Sequence, residues 1–181
     1  MQEKEYAVSD MIEELAVQFK EMINRDLVAL KVSIEDDIPN GLIGDRDKVK
    51  EILMNLYQRA AKTTKEGSIS IEVDWRKIAP EECDRPDSIY LDIVISDTGT
   101  GVKEERLDSF FDLDDSYDRT DIGNFDISIG LAIARQLIES MGGTPEVDST
   151  YGAGTTIRFS IIQQVFDYSY VNYNVSKRRE Q

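Results

Sequence analysis

Four stretches of this chain alternate apolar and polar residues with a period of two, and three others repeat apolar residues at helical spacing. Leu30, Val32 and Ile34 form the first alternating run, and Ile69, Ile71, Val73 and Trp75 the second. Ile89, Leu91, Ile93 and Ile95 form the third, and Thr155, Ile157, Phe159 and Ile161 the fourth. A strand of this kind buries one face only, so the sheet it builds needs a cover. The helical stripes supply one. Ile12, Leu15, Ala16, Phe19, Met22 and Ile23 mark a helix over 8–24, and Val49, Ile52, Leu53, Leu56 and Ala60 mark a second after Asp45. Leu131, Ala134, Leu137, Ile138 and Met141 mark a third over about 128–141. The pattern predicts an α+β fold, a two-layer sandwich with a mixed sheet packed on about three helices.

Punctuation sharpens the boundaries. Asp10 with Glu13 has the form of a capping box, and Asp45 that of an N-cap. Pro39-Asn40-Gly41 reads as a turn, Lys65-Glu66-Gly67 closes the second helix, and Gly142-Gly143 ends the third. The second and third strands flank a polar loop at about 80–87 and so predict a hairpin. From about 108 to 126 no period is visible, and the segment holds seven aspartates against the lone Arg119. An aperiodic polar stretch of this length is a functional-segment signal. The folded domain is expected over 1–163. The Tyr-rich residues 164–181 form a tail or linker, with Phe166 to Tyr173 read as an extra edge strand.

Composition excludes several functions. The 181 residues carry 21 Lys and Arg against 36 Asp and Glu, a formal net charge of −15. Such a chain repels nucleic acid and anionic membranes, so neither is an expected partner. It has no histidine, which removes His–Ser and His–Cys pairs and any self-contained phosphohistidine chemistry. The lone Cys83 makes no internal disulfide and fits a reducing compartment. With no signal peptide and no membrane-length apolar run, the expected location is cytoplasmic, in a full-length protein that membrane anchoring elsewhere would still allow.

The glycines are the candidate chemistry. Asp97-Thr-Gly99-Thr-Gly101 ends a strand, where glycine permits close approach of a ligand and equally permits a plain turn with an Asp cap. Gly130 at a helix start offers backbone amides to phosphate, or merely eases packing. Asn55 and Lys62 lie seven residues apart, roughly on one helix face. Gly152-Ala-Gly154-Thr155 would otherwise be a hairpin turn. No Walker-type or Rossmann-type glycine motif occurs.

In order and spacing these segments resemble the ATP-binding catalytic domain of sensor histidine kinases, within the superfamily of gyrase, heat-shock chaperone and mismatch-repair ATPases. Asp45 through Leu56 with Ala60 and Lys62 is similar to the N box, and Asp97-Thr-Gly99-Thr-Gly101 to the first glycine box. Phe110 matches the phenylalanine box, and Gly130-Leu131-Ala132-Ile133 the end of the second glycine box. Met141-Gly-Gly143 and Ser149 to Thr155 match the closing segment of histidine kinases, giving coverage from about residue 6 to 162. The resemblance implies a Bergerat-type fold, ATP as ligand and magnesium as its ion. Asp97 would accept from the adenine amine with Thr155 in support, and Gly99 and Gly101 would make room for base and sugar. Asn55 and Lys62 would face the magnesium-triphosphate, Asn55 as a metal ligand. Residues 108–129 would form the ATP lid, and amides near Gly130 would hold phosphate. The implied reaction donates the γ-phosphoryl of ATP to a histidine on a separate upstream dimerisation domain, with a response regulator receiver domain as later partner. No catalytic residue is assigned within the chain.

Two positions depart from that pattern. Where the N box has a second Asn, a magnesium ligand, this chain has Arg59, whose guanidinium has no lone pair to give. At about 4 Å from a dication it is repelled by several kcal/mol at an effective dielectric of roughly 20. The expectation is therefore that Arg59 grips phosphate oxygens directly or swings into solvent. Asp126-Ile-Ser128-Ile-Gly130 stands where the second glycine box has three glycines, and places a carboxylate on the phosphate side. The alternative function is thus a degenerate pseudokinase-like module that senses nucleotide or binds protein without phosphotransfer.

Overall fold

The computed structural model describes residues 2–113 and 122–170. In chain order the elements are β1 (Lys4–Ala7), α1 (Val8–Glu21), β2 (Val28–Ile34), β3 (Pro39–Gly44), α2 (Arg46–Thr63), β4 (Gly67–Lys77) and β5 (Ser88–Asp97). A short helical turn at Glu104–Arg106 is followed by α3 (Ile122–Ser140), β6 (Glu146–Thr150) and β7 (Gly154–Tyr170). All strands belong to one sheet of order β1-β3-β7-β5-β4-β2, with β6 also paired to β7. β2 and β4 are parallel, and the other pairs are antiparallel. A parallel pair needs a crossover, supplied here by the segment containing β3 and α2. The expected mixed sheet on three helices is the fold observed, including the β4–β5 hairpin.

The period-two pattern sets which face is buried. Ile69, Ile71 and Val73 of β4, Ile89, Leu91, Ile93 and Ile95 of β5, and Ile157, Phe159 and Ile161 of β7 are all buried. Against them pack Leu15 and Phe19 of α1, Ile52, Leu53 and Leu56 of α2, and Leu131, Ala134 and Ile138 of α3. Phe19 stacks on Tyr57 with ring centroids 3.9 Å apart, and the Tyr57 hydroxyl donates to the Phe19 carbonyl at 2.9 Å. That contact satisfies a buried phenol while fixing α1 on α2. Among the described residues no helix is long and apolar enough to cross a membrane.

Four local expectations change. The Pro39-Asn40-Gly41 turn is the start of β3, because pairing with β1 on one side and β7 on the other outweighs local turn propensity. α1 starts at Val8 without the Asp10 cap; its Ser9 N–H and hydroxyl instead donate to Asn40 Oδ1, at 3.1 and 3.0 Å. The Tyr-rich stretch as far as Tyr170 is no separate edge strand but the far end of β7, lying against β3 with Gly41 opposite Asp167. Residues 171–181 lie outside the described part. α3 begins at Ile122, well before Ser128.

Candidate functional site

The central strands converge on Asp97. β5 ends there, directly opposite Thr155 near the start of β7. Gly154 has φ 127, and a Cβ on it would lie 2.0 Å from the Asp97 carbonyl oxygen, so only glycine lets β7 enter this close. The loop after Asp97 is held on every side. Gly99 N–H donates to Asp97 Oδ1 at 2.8 Å, Thr98 N–H to the Ser68 carbonyl at 3.1 Å, and Thr100 N–H to the Thr63 carbonyl at 3.3 Å. Gly101, at φ 70, turns the chain beneath Thr150. Val102 N–H then donates to Ser149 Oγ at 2.8 Å.

Arg59 decides what this frame can do. It lies on α2, four residues beyond Asn55, and its side chain is buried against the ends of β5 and β7. Nη1 donates to Asp97 Oδ2 at 3.0 Å, and Nη2 donates to Thr155 Oγ1 at 3.0 Å. The guanidinium also sits 5.2 Å from the centroid of Phe110. Side-chain exposure is 5% for Arg59 and 3% for Asp97, so this is a buried ion pair. Burial draws the Arg59 guanidinium below its ordinary pKa, and the Asp97 charge and hydrogen bond oppose that shift. The expectation that Arg59 swings into solvent is therefore corrected: its guanidinium is held by Asp97 and Thr155. The buried carboxylate and hydroxyl supply the acceptors that a guanidinium withdrawn from water requires.

The pair continues into a hydroxyl relay whose direction is fixed. Ser149 Oγ donates its one proton to the Gly154 carbonyl at 2.7 Å, so the 3.0 Å contact between Ser149 and Thr155 must run from the Thr155 hydroxyl. Thr155 therefore accepts from Arg59 and donates to Ser149. Asp97 accepts at both oxygens, Oδ1 from Gly99 and Oδ2 from Arg59.

Above Arg59 opens a cavity of about 510 Å³. Of the residues expected from sequence to contact ATP, Arg59, Gly101, Phe110 and Leu131 line it, as does Ser128 of the altered glycine box. Asp97 and Thr155 lie behind Arg59, with Gly99 beside Asp97. Lys62 is exposed and donates to Asn124 Oδ1 at 3.2 Å, bridging α2 to the first turn of α3. Gly130 is more than two turns inside α3, so its N–H belongs to the helix ladder and not to a free helix start. The proposed lid is therefore partly helix from residue 122 onward, and its aspartates at 114, 115, 118 and 121 lie outside the described residues. The sequence reading missed Thr63, Lys103 and Tyr151 as lining residues; Lys103 Nζ lies 5.6 Å from the Tyr151 ring centroid. Lys103 and Tyr151 each adjoin a glycine turn, the one signal that would have pointed to them.

The residue expected to ligate magnesium does not line the cavity. Among the described residues no group of three or more His, Cys, Asp or Glu is placed to hold a metal. Asn55, the expected ligand, does not line the cavity: its Oδ1 lies 3.1 Å from where a Cβ on Gly130 would stand, and its buried Nδ2 has no partner.

The profile of the histidine kinase-, DNA gyrase B- and HSP90-like ATPases matches residues 44–164. The chain belongs to this family. Sensor histidine kinase GacS of Pseudomonas protegens is 38% identical over 129 residues, covering 69% of this chain and 13% of GacS. Histidine protein kinase 1 of Candida albicans is 28% identical over 176 residues, 96% of this chain and 7% of that protein. The chain thus spans a small part of these relatives. Among solved structures, full-length ShkA in complex with AMPPNP superposes with a TM-score of 0.72 at 18% identity, covering 92% of this chain and 32% of that one. The catalytic domain of histidine kinase ThkA gives 0.66 at 21%, covering 91% and 99%. At these identities the superpositions establish the fold.

Proposed function

We propose that this chain is the ATP-binding catalytic domain of a sensor histidine kinase, serving a histidine on a separate dimerisation domain. The observation that carries this reading is the buried Asp97 carboxylate at the end of β5, framed by Gly99, Gly101 and Gly154 beneath a cavity. A carboxylate so placed accepts from the amine edge of an adenine ring, and the glycines let that ring approach backbone. The cavity would then take the sugar and phosphates between Lys103 and the N-terminal turns of α3. Because the chain contains no histidine, the phosphoryl acceptor stands on another polypeptide segment. The later partner is a receiver domain of a response regulator. The test supplies the purified chain with γ-labelled ATP and a dimerisation domain from a related kinase. Labelled phosphohistidine on that domain is the expected result.

A second reading rests on the Arg59–Asp97 pair. It makes the chain a module that binds nucleotide weakly and without magnesium, and that signals by conformation and not by transfer. Nucleotide binding that is insensitive to EDTA, with no label passed to the dimerisation domain, would select it over the first.

A further inference from the structure

We propose that Arg59 is the specificity-determining residue of this pocket, an internal occupant of the amine-reading acceptor that turns the site away from adenine. The inference rests on the reading of Asp97 as the base contact. An exocyclic amine is recognised by an acceptor, and the buried acceptors directly behind Arg59 are Asp97 and Thr155. Both oxygens of Asp97 are engaged, and Thr155 accepts from Arg59 while donating to Ser149. Each of these oxygens keeps a lone pair, but Arg59 lines the cavity and they do not, so an adenine amine reaches them only by displacing the guanidinium from a buried pair, and otherwise binds unmatched. Each route lowers adenine affinity. A base with a carbonyl in place of the amine leaves the pair intact and meets the guanidinium's donors at that carbonyl, at the cost of an N1–H where adenine carries an acceptor. Phe110, against the guanidinium, helps hold it in place.

Arg59 therefore inverts the hydrogen-bonding polarity of the pocket floor from accepting to donating. A smaller effect of mere bulk would act on any base alike, and this is the distinction to measure. The experiment titrates the chain with ADP and with IDP, which differ at that one edge, in EDTA by calorimetry. The wild type is expected to bind IDP at least as well as ADP. Arg59→Asn is expected to raise ADP affinity about ten- to a hundredfold, the worth of one restored hydrogen bond to a charged group, and IDP affinity much less. Arg59→Gln serves as a second variant, and a thermal melt checks that each is folded; the wild-type comparison needs neither. A wild type that prefers ADP tenfold, or variants that gain equally for both nucleotides or gain nothing, overturns the inference and leaves the nucleotide-binding reading intact. Folded wild type and variants that all fail to bind either nucleotide overturn the reading itself.

Discussion

Asp97→Asn removes the counter-charge of Arg59 while keeping the shape of the side chain, and its cost follows from the burial of the pair. The two groups meet at 3.0 Å with side-chain exposures of 5% and 3%. A guanidinium cannot shed its proton near neutral pH, so the variant holds a buried cation facing a neutral amide. Removing one partner of a buried ion pair costs about 3–5 kcal/mol, mostly from the charge left behind. In a domain of this size each kcal/mol moves the melting temperature by about 2–4 °C, giving an expected drop of roughly 6–20 °C. Replacing both partners removes the stranded charge. Asp97→Asn combined with Arg59→Met is therefore expected to recover most of the loss, although each substitution alone destabilises. The exposed pair of Arg76 and Asp92 is the internal control, since Arg76 is 59% exposed and its truncation is expected to cost no more than about 1 kcal/mol. Differential scanning calorimetry of the four chains of the cycle and of Arg76→Ala measures all of these. A drop for Asp97→Asn no larger than that of Arg76→Ala, or a double variant less stable than the sum of its singles, would refute the reasoning.

Three further substitutions test the frame around the site. Asp45→Ala removes the N-cap bond to Lys48 N–H at the start of α2 and is expected to cost about 1 kcal/mol, read as a denaturation midpoint at unchanged m value. Gly154→Ala sets a Cβ against the Asp97 carbonyl at a φ that L-residues avoid, and is expected to destabilise by more than the Asp45 variant in the same assay. The Asp92 carboxyl is subject to burial, which raises its pKa, but bonds from Arg76 and Ser160 outweigh that and hold it below the usual carboxylate range. Its contribution is thus present above the unfolded value near about 3.9 and is lost as pH falls through the folded one. Asp92→Asn is expected to flatten the acid limb of the melting temperature below about pH 5, by no more than about 1 kcal/mol, and an unchanged limb would count against the Arg76 contact.

What the sequence revealed and withheld divides by the range of the interactions involved. The long strands β4 and β5 were legible because alternation is local and each repeats it several times. The Asp45 cap was legible because its partner is three residues away. β1 has four residues and β6 five, too few for a period to show. β3 was hidden because Pro39-Asn40-Gly41 satisfies every local criterion for a turn, while its strand partners lie at the two ends of the chain. The same division holds within the site. That Arg59 has no lone pair for a metal follows from its chemistry alone. Its direction does not, since Asp97 is 38 residues away and Thr155 is 96. Only the convergence of α2, β5 and β7 brings those acceptors within reach.

The departures from the family pattern act on one quantity, the number of polar groups left for a ligand to satisfy. Arg59 fills the acceptors at the pocket floor. Asp126 and Ser128 are more helix-compatible than the glycines they replace, and α3 runs through them, tying up amides that a loop would present. A Cβ on Gly130 would meet Asn55 Oδ1 at 3.1 Å, so the small size of this residue serves the packing of α2 on α3. Binding energy is the difference between bonds made to the ligand and bonds already made within the protein. A pocket whose groups are satisfied internally keeps its shape and loses its affinity. On the reading proposed for Arg59, the contacts that retain the fold are also those that oppose adenine, and the two effects are separable only by substituting a residue such as Arg59 that serves both.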